Sequence, residues 1–194
     1  ALVNRWMEYV KQGGNLVLSC RTAQKDRFGR LPEIPFGAMI NELTGNEMEF
    51  YDLLHPEEPG KIVMDGQTYT WSTWGEILKP GKESQVWATY TDEYYEGKPA
   101  ITTRKLGKGT ITYIGVDSTD GRLEKDVLKK LYAQLNIPVM DLPYGVTMEY
   151  RNGLGIVLNY GDKPYTFTLP KGAKVLIGEE TLPTAGVLVF QIKE

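Results

Sequence analysis

With 194 residues, 41% of them apolar, the chain can bury a real core as one large domain or as two of ordinary size. Its net charge of -3 leaves no cationic surplus to offset phosphates, which argues against nucleic acid and anionic membranes as partners. A single cysteine, Cys20, rules out an internal disulfide and a multi-cysteine metal site, and no apolar run approaches the ~20 residues of a membrane-spanning helix.

In chain order, Leu2, Val3, Trp6, Met7 and Val10 fall at helical spacing, and Gly13-Gly14 can end that helix. A helix opening at the first residue without a cap suggests a piece of something longer. Asn15–Cys20 reads as a short apolar strand, and helix, Gly-Gly, strand is the grammar of an α/β layer fold. Arg21–Gly37 is a long polar connection with basic residues, two prolines and two glycines, placed at the carboxyl end of a strand where α/β folds put functional contacts. A short helix is expected over Ala38–Thr44, closed by Gly45, and a strand over Glu47–Leu54. Residues 55–82, rich in Pro and Gly, look like an inserted set of hairpins carrying Trp71 and Trp74.

The stretch that organises the chain is Tyr90–Gly115. Thr110–Val116 places β-branched and aromatic residues on both alternating faces, as expected for a strand covered on both sides. Gly107-Lys108-Gly109 can turn Ile101–Leu106 back onto it as an antiparallel hairpin. Leu123, Val127, Leu128, Leu131 and Leu135 then mark one helical face to about Asn136, and Pro138 stops the helix. From about Pro143 the texture is that of short strands with turn signals at Asn152-Gly153, Gly161-Asp162, Pro170-Lys171-Gly172 and Gly178-Glu179, a small all-β domain.

A search for chemistry returns little. Glu57 with Glu58, Asp92 with Glu93, and Glu179 with Glu180 are strand or loop neighbours whose side chains diverge, so none is the facing carboxylate pair that glycoside hydrolysis needs. Cys20 ends a strand, as a nucleophile could, but a polar loop follows it and the only histidine, His55, lies in a Pro-rich segment. One His and one Cys cannot make a usual zinc set. Gly107-Lys108-Gly109 lacks the strand-to-helix setting of a phosphate loop.

The residues do carry a family likeness. Tyr94–Tyr113, YYEGKPAITTRKLGKGTITY, resembles the end of the middle domain of family 42 glycoside hydrolases, with its Y-x-G-x-P-A-x-T, G-x-G and aromatic strand. YVKQGGNLVLS is similar to that domain's V-x-Q-G-G-x-L-V segment, and CRTAQKDRFGRLPEIPFGAMINELTG to its long loop. GIVLNYGDKPYTFTLP and LPTAGVLVF resemble the family's small C-terminal β-domain.

The resemblance implies an α/β domain over residues 1–140, flavodoxin-like or class I amidotransferase-like in layering and N-terminally truncated, then a β-sandwich over 141–194. It implies the non-catalytic, trimer-forming part of a retaining β-galactosidase, without cofactor or metal, whose two catalytic glutamates sit in a barrel outside these residues. Asn41-Glu42 and Asn46-Glu47 echo the Asn-Glu of such barrels but do not lie at a barrel strand end. The long loop would face the barrel or a neighbouring subunit through Arg21, Lys25, Asp26 and Arg27. The family's first strand is missing, so an unpaired edge is expected beside Asn15–Cys20, to be covered by another chain or by the chain's own segment. Two other readings are a carbohydrate-binding module stacking sugars on Trp71 and Trp74, and an amidotransferase-like enzyme using Cys20.

Overall fold

The computed structural model describes residues 2–31, 33–34 and 37–192. They form two compact units, Ala1–Leu131 and Tyr132–Glu194.

The first unit is built on one eight-stranded sheet. Its strands are β1 (Asn15–Ser19), β2 (Asn46–Asp52), β3 (Gly60–Met64), β4 (Gln67–Pro80), β5 (Ser84–Tyr90), β6 (Pro99–Leu106), β7 (Gly109–Ile114) and β8 (Val116–Ser118). Their spatial order is β1-β7-β6-β5-β3-β4-β2, with β8 against β4. Only β1 and β7 pair in parallel, and every other ladder is antiparallel. The expected flavodoxin-like or amidotransferase-like α/β layering is therefore wrong: 44% of the chain is strand against 14% helix, in a mixed sheet that is mostly antiparallel.

The physical reason lies in the connections. Parallel neighbours need long crossovers, whereas β3 to β4 turns through Asp65-Gly66 and β6 to β7 through Gly107-Lys108, two-residue turns that can only reverse the chain. Asp65 and Gly66 take φ of 52° and 79°, as an Asp-Gly hairpin turn requires.

Helices cover parts of both faces. Helix α1 (Leu2–Lys11) lays Val3, Trp6, Met7 and Val10 against Leu16 and Leu18 of β1, with Ile111 and Tyr113 of β7. The one-turn helix α2 (Asn41–Thr44), shorter than the expected Ala38–Thr44, adds Leu43 to that side and is closed by Gly45 at φ 71°. On the other face, α3 (Arg122–Gln134) buries Leu123, Val127 and Leu131 with Trp71, Ile62, Tyr90 and Ile101. The outer flank of β1 carries no paired strand among the described residues.

The second unit holds a four-stranded antiparallel sheet, in the order β12 (Ala173–Ile177), β14 (Val187–Ile192), β10 (Leu154–Asn159), β9 (Val146–Arg151). A two-stranded sheet of β11 (Tyr165–Thr166) and β13 (Thr181–Leu182) completes it. Val146, Val157, Phe167, Leu182, Leu188 and Phe190 form its core. The Asn152-Gly153 signal is a two-residue turn between β9 and β10, with both residues left-handed. Buried Asn159 ties two loops together: its Nδ2 donates to the carbonyls of Lys163, Leu182 and Pro183, and its Oδ1 accepts from Gly161 N.

The end of α1 sits directly on the β6–β7 turn. Lys108 N donates to Lys11 O at 3.1 Å and Thr110 N to Gly14 O at 3.3 Å. A Cβ on Gly109 would stand 2.0 Å from Gly14 O and 2.5 Å from Val10 O, so this contact requires glycine. Gly109→Ala should force the two backbones apart and cost about 1–3 kcal/mol, read as a lowered urea midpoint. An unchanged midpoint would show that the close approach does not matter to stability.

Candidate functional site: a loop braced on a buried carboxylate

Strand β1 delivers Ser19 and Cys20 to the start of the long loop, where the chain bends sharply. Arg21 and Ala23 take φ of 64° and 59°, a left-handed conformation that non-glycine residues hold only when their surroundings impose it. At Arg21 the imposing group is Glu76 of β4, 1% exposed. Its Oε1 accepts the Arg21 backbone N–H at 2.8 Å and the Trp74 indole N–H at 3.0 Å, and its Oε2 accepts the Tyr113 hydroxyl at 2.6 Å. The Glu76 backbone is held as well, with N donating to Gly115 O at 2.7 Å and O accepting from Tyr90 Oη at 2.9 Å. A carboxyl out of water must be met by donors, and here three meet it.

Burial is the leading influence on Glu76 and raises its pKa above the usual 4.5, while the bonds from Tyr113, Arg21 N and Trp74 act in the opposite direction. Burial, followed by the nearby carboxylate of Glu76, pushes the Cys20 thiol up to about 12. A thiol in that state is not the thiolate nucleophile an amidotransferase would use.

Trp74 is the second brace. Its ring stacks on Tyr51 with centroids 4.4 Å apart and planes 10° from parallel, and the Arg21 guanidinium lies 4.9 Å from its centroid. Arg21 Nε also donates to Gln24 Oε1 at 3.0 Å. The tip of the loop is closed around Asp26. Its Oδ1 accepts from Phe28 N at 2.8 Å and from Arg30 N at 3.0 Å, and Asp26 N donates to Arg30 O at 2.8 Å. These bonds, the Arg30 backbone N–H first, hold the Asp26 carboxyl below its ordinary pKa.

Of the four loop residues singled out in the sequence, Arg21 and Asp26 are therefore engaged within the loop and its brace, while Lys25 and Arg27 are exposed. Sequence reading missed Glu76, Tyr113 and Tyr90, and also Phe28, which stands exposed between the guanidiniums of Arg27 and Arg30 at 4.5 and 5.1 Å. The available signal for Glu76 was a carboxylate inside the apolar run Trp74 to Leu78.

The remaining candidates are dispersed. Trp71 has no exposed surface, and Trp74 is 8% exposed between Tyr51 and Arg21, so neither offers an open ring face to a sugar. Asp92 caps the backbone N–H of Lys61, and Glu57, Glu58, Glu179 and Glu180 are exposed. His55 is exposed and accepts from Glu57 N. Asn46 is buried, with Nδ2 bonded to Thr102 Oγ1, and Glu42 and Glu47 lie at the surface beside it. Among the described residues no group of three or more His, Cys, Asp or Glu side chains gathers as a metal site.

The brace can be tested by substitution. Glu76→Ala leaves three donors without their acceptor and should cost about 3 kcal/mol or more, at roughly 1–3 kcal/mol for each buried unsatisfied group. Glu76→Gln can keep the two bonds at Oε1 and donate to Tyr113 Oη, so it should fold. Because the folded pKa is raised, the native protein binds the Glu76 proton more tightly than the unfolded chain. Stability is then lost as pH rises from 4.5 through the raised value. Glu76→Gln should flatten that fall in a pH series of thermal melts, and an equal pH slope in both proteins would refute the assignment.

Known proteins share this architecture. Residues 1–143 match the family of β-galactosidase trimerisation domains, and residues 145–191 match that of β-galactosidase C-terminal domains. The β-galactosidase BgaH of Haloferax lucentense is 30% identical over 175 residues, which cover 90% of this chain and 26% of that protein. The β-galactosidase BgaA of Clostridium cellulovorans is 29% identical over 198 residues, covering 96% and 30%. Among solved structures, the cold-adapted β-galactosidase of Rahnella sp. R3 superposes with a TM-score of 0.86 at 24% identity, over 99% of this chain and 30% of that one. The β-galactosidase of Bacillus circulans sp. alkalophilus gives 0.82 at 21%, over 100% and 31%. The chain thus spans less than a third of the length of these relatives, in the part that carries their trimerisation and C-terminal domains, and it belongs to the family 42 β-galactosidases.

Proposed function

We propose that the chain is the accessory, oligomer-forming region of a larger retaining β-galactosidase that acts on terminal β-D-galactosides. The observation that carries this reading is the braced loop. A basic and aromatic tip stands clear of a domain that matches trimerisation domains, and it is anchored through Glu76 before any partner arrives. A loop ordered in advance gives up little further entropy on docking. In this reading the partners are the protein's own catalytic barrel and other copies of the chain. Lys25 and Arg27 make outward contacts, while Arg21 and Asp26 keep the loop in shape.

The acidic groups support a non-catalytic role. Retention calls for two carboxyl groups about 5 Å apart across a sugar site, whereas Glu76 is saturated by its own donors and the adjacent acidic pairs are spent on backbone caps or stand in solvent. The catalytic glutamates then belong to the barrel, and no cofactor enters. The relatives named as β-galactosidases support the substrate class.

The test is hydrolysis of a chromogenic β-galactoside by this chain and, in parallel, by the whole protein. Turnover is expected from the whole protein only, with the β-anomer of galactose appearing first by proton NMR. Turnover by the chain alone would overturn the accessory reading, and initial release of the α-anomer by the whole protein would overturn retention.

A further inference from the structure

We propose that the Asp26-closed loop tip of one copy docks in an acidic cleft, lined by Glu42 and Glu47, on the next copy, so that the oligomer is held by a head-to-tail contact. This rests on the oligomer-forming reading above and names its contact.

The tip is built like an interface anchor. Phe28 is 64% exposed, with the Arg27 and Arg30 guanidiniums against its ring, and Leu31 beside it is equally exposed. An aromatic ring flanked by arginines is the composition that dominates binding energy at protein contacts. Asp26 holds the turn rigid through bonds from Phe28 N, Arg30 N and Arg30 Nε, with Gly29 N donating to Asp26 O at 3.0 Å. Gly29 takes φ 76° with open space around it, which places Phe28 at the apex. On a chain of net charge -3 this tip is a basic island.

The cleft is its chemical complement. It lies where α2 ends against the start of β2 and the end of β4, and it encloses about 340 Å³ lined by Glu42, Asn46, Glu47, Lys79, Pro80 and Gly81 among others. Two carboxylates face one ammonium there, and that ammonium, Lys79, is already bound to Glu47 at 3.0 Å. Glu42 is left as the outward acceptor. Such a carboxylate suits a guanidinium, whose planar fork matches it. Pro80 offers an apolar wall for a phenyl ring.

Tip and cleft are different surfaces of the same unit. A contact between them is therefore heterologous and must either close into a ring or run on as a filament. Closure is what a trimerisation domain needs. A second copy is also the partner that supplies the matching charge without any further protein.

The experiment is sedimentation and native mass spectrometry of this chain over a concentration series, with the substitutions Arg27→Glu, Phe28→Ala and Glu42→Lys made singly and Arg27→Glu with Glu42→Lys combined. None of these side chains is buried, so circular dichroism should report wild-type folding. The wild type is expected to associate, each single variant to associate at least about tenfold more weakly, and the charge-swapped double variant to regain most of the loss, as a direct pair does in a double-mutant cycle. Assembly undiminished in the single variants, or a double variant no better than either single, would overturn the contact while leaving the oligomer reading intact. A wild-type chain monomeric throughout would overturn both.

Discussion

The arrangement depends on one carboxyl group that has left water. Glu76 sits at the crossing of three parts of the first unit: β4, which carries it, β7, which contributes Tyr113, and the bend after β1, which contributes the Arg21 N–H. Removing a carboxylate from water costs several kcal/mol unless donors replace the lost hydration. The three donors around Glu76 offset that cost only in one geometry, so the group selects a conformation more than it adds stability. That selection accounts for the left-handed backbone at Arg21, which has no local cause in residue type.

From the brace outward, each feature of the loop follows by contact. With its backbone N–H fixed, Arg21 can lay its guanidinium on Trp74, whose other ring face is taken by Tyr51. The root of the loop is thus an aromatic and cationic stack, and its tip is a second, smaller one around Phe28. Between them the loop needs no regular secondary structure to stay in place. The tryptophans that suggested a sugar platform are the interior of this support, since Trp71 packs edge-on against Tyr90 at 5.6 Å and lies wholly inside the core.

Much of the fold was legible where local chemistry decides it. The Gly107 turn, the Asn152-Gly153 turn, the Leu123, Val127 and Leu131 part of the α3 stripe and the Gly45 stop of α2 all follow from backbone preferences and periodicity and stand in the structure, whereas Leu128 and Leu135 of that stripe are exposed. The layering was misread because strand direction is not local. Helix, Gly-Gly, strand at the start suggested a parallel sheet, yet a single parallel ladder between β1 and β7 is all that this segment makes. Asp65-Gly66 was a hairpin signal of the same kind as Asn152-Gly153, and it argued for antiparallel pairing at the middle of the sheet. Of the site, the loop itself was legible from its length and charge. Glu76 was not, because all its partners but Trp74 come from positions 14 to 55 residues away, and a charge in an apolar run reads equally as a solvent-facing position.

The flank of β1 that carries no paired strand among the described residues has one more implication, which concerns alignment. In most half-buried strands a slip of one residue is forbidden because it would turn apolar side chains to water. Here Leu16 and Leu18 serve one cluster and Val17 the other, so both faces are greasy and a slip would exchange like for like. What pins β1 against β7 is polar: Thr110 Oγ1 donates to Asn15 Oδ1 at 2.6 Å, and Thr110 N reaches Gly14 O. A strand added on the opposite flank would meet the same indifference without that polar latch, and its phase would have to be dictated by its own connecting segments.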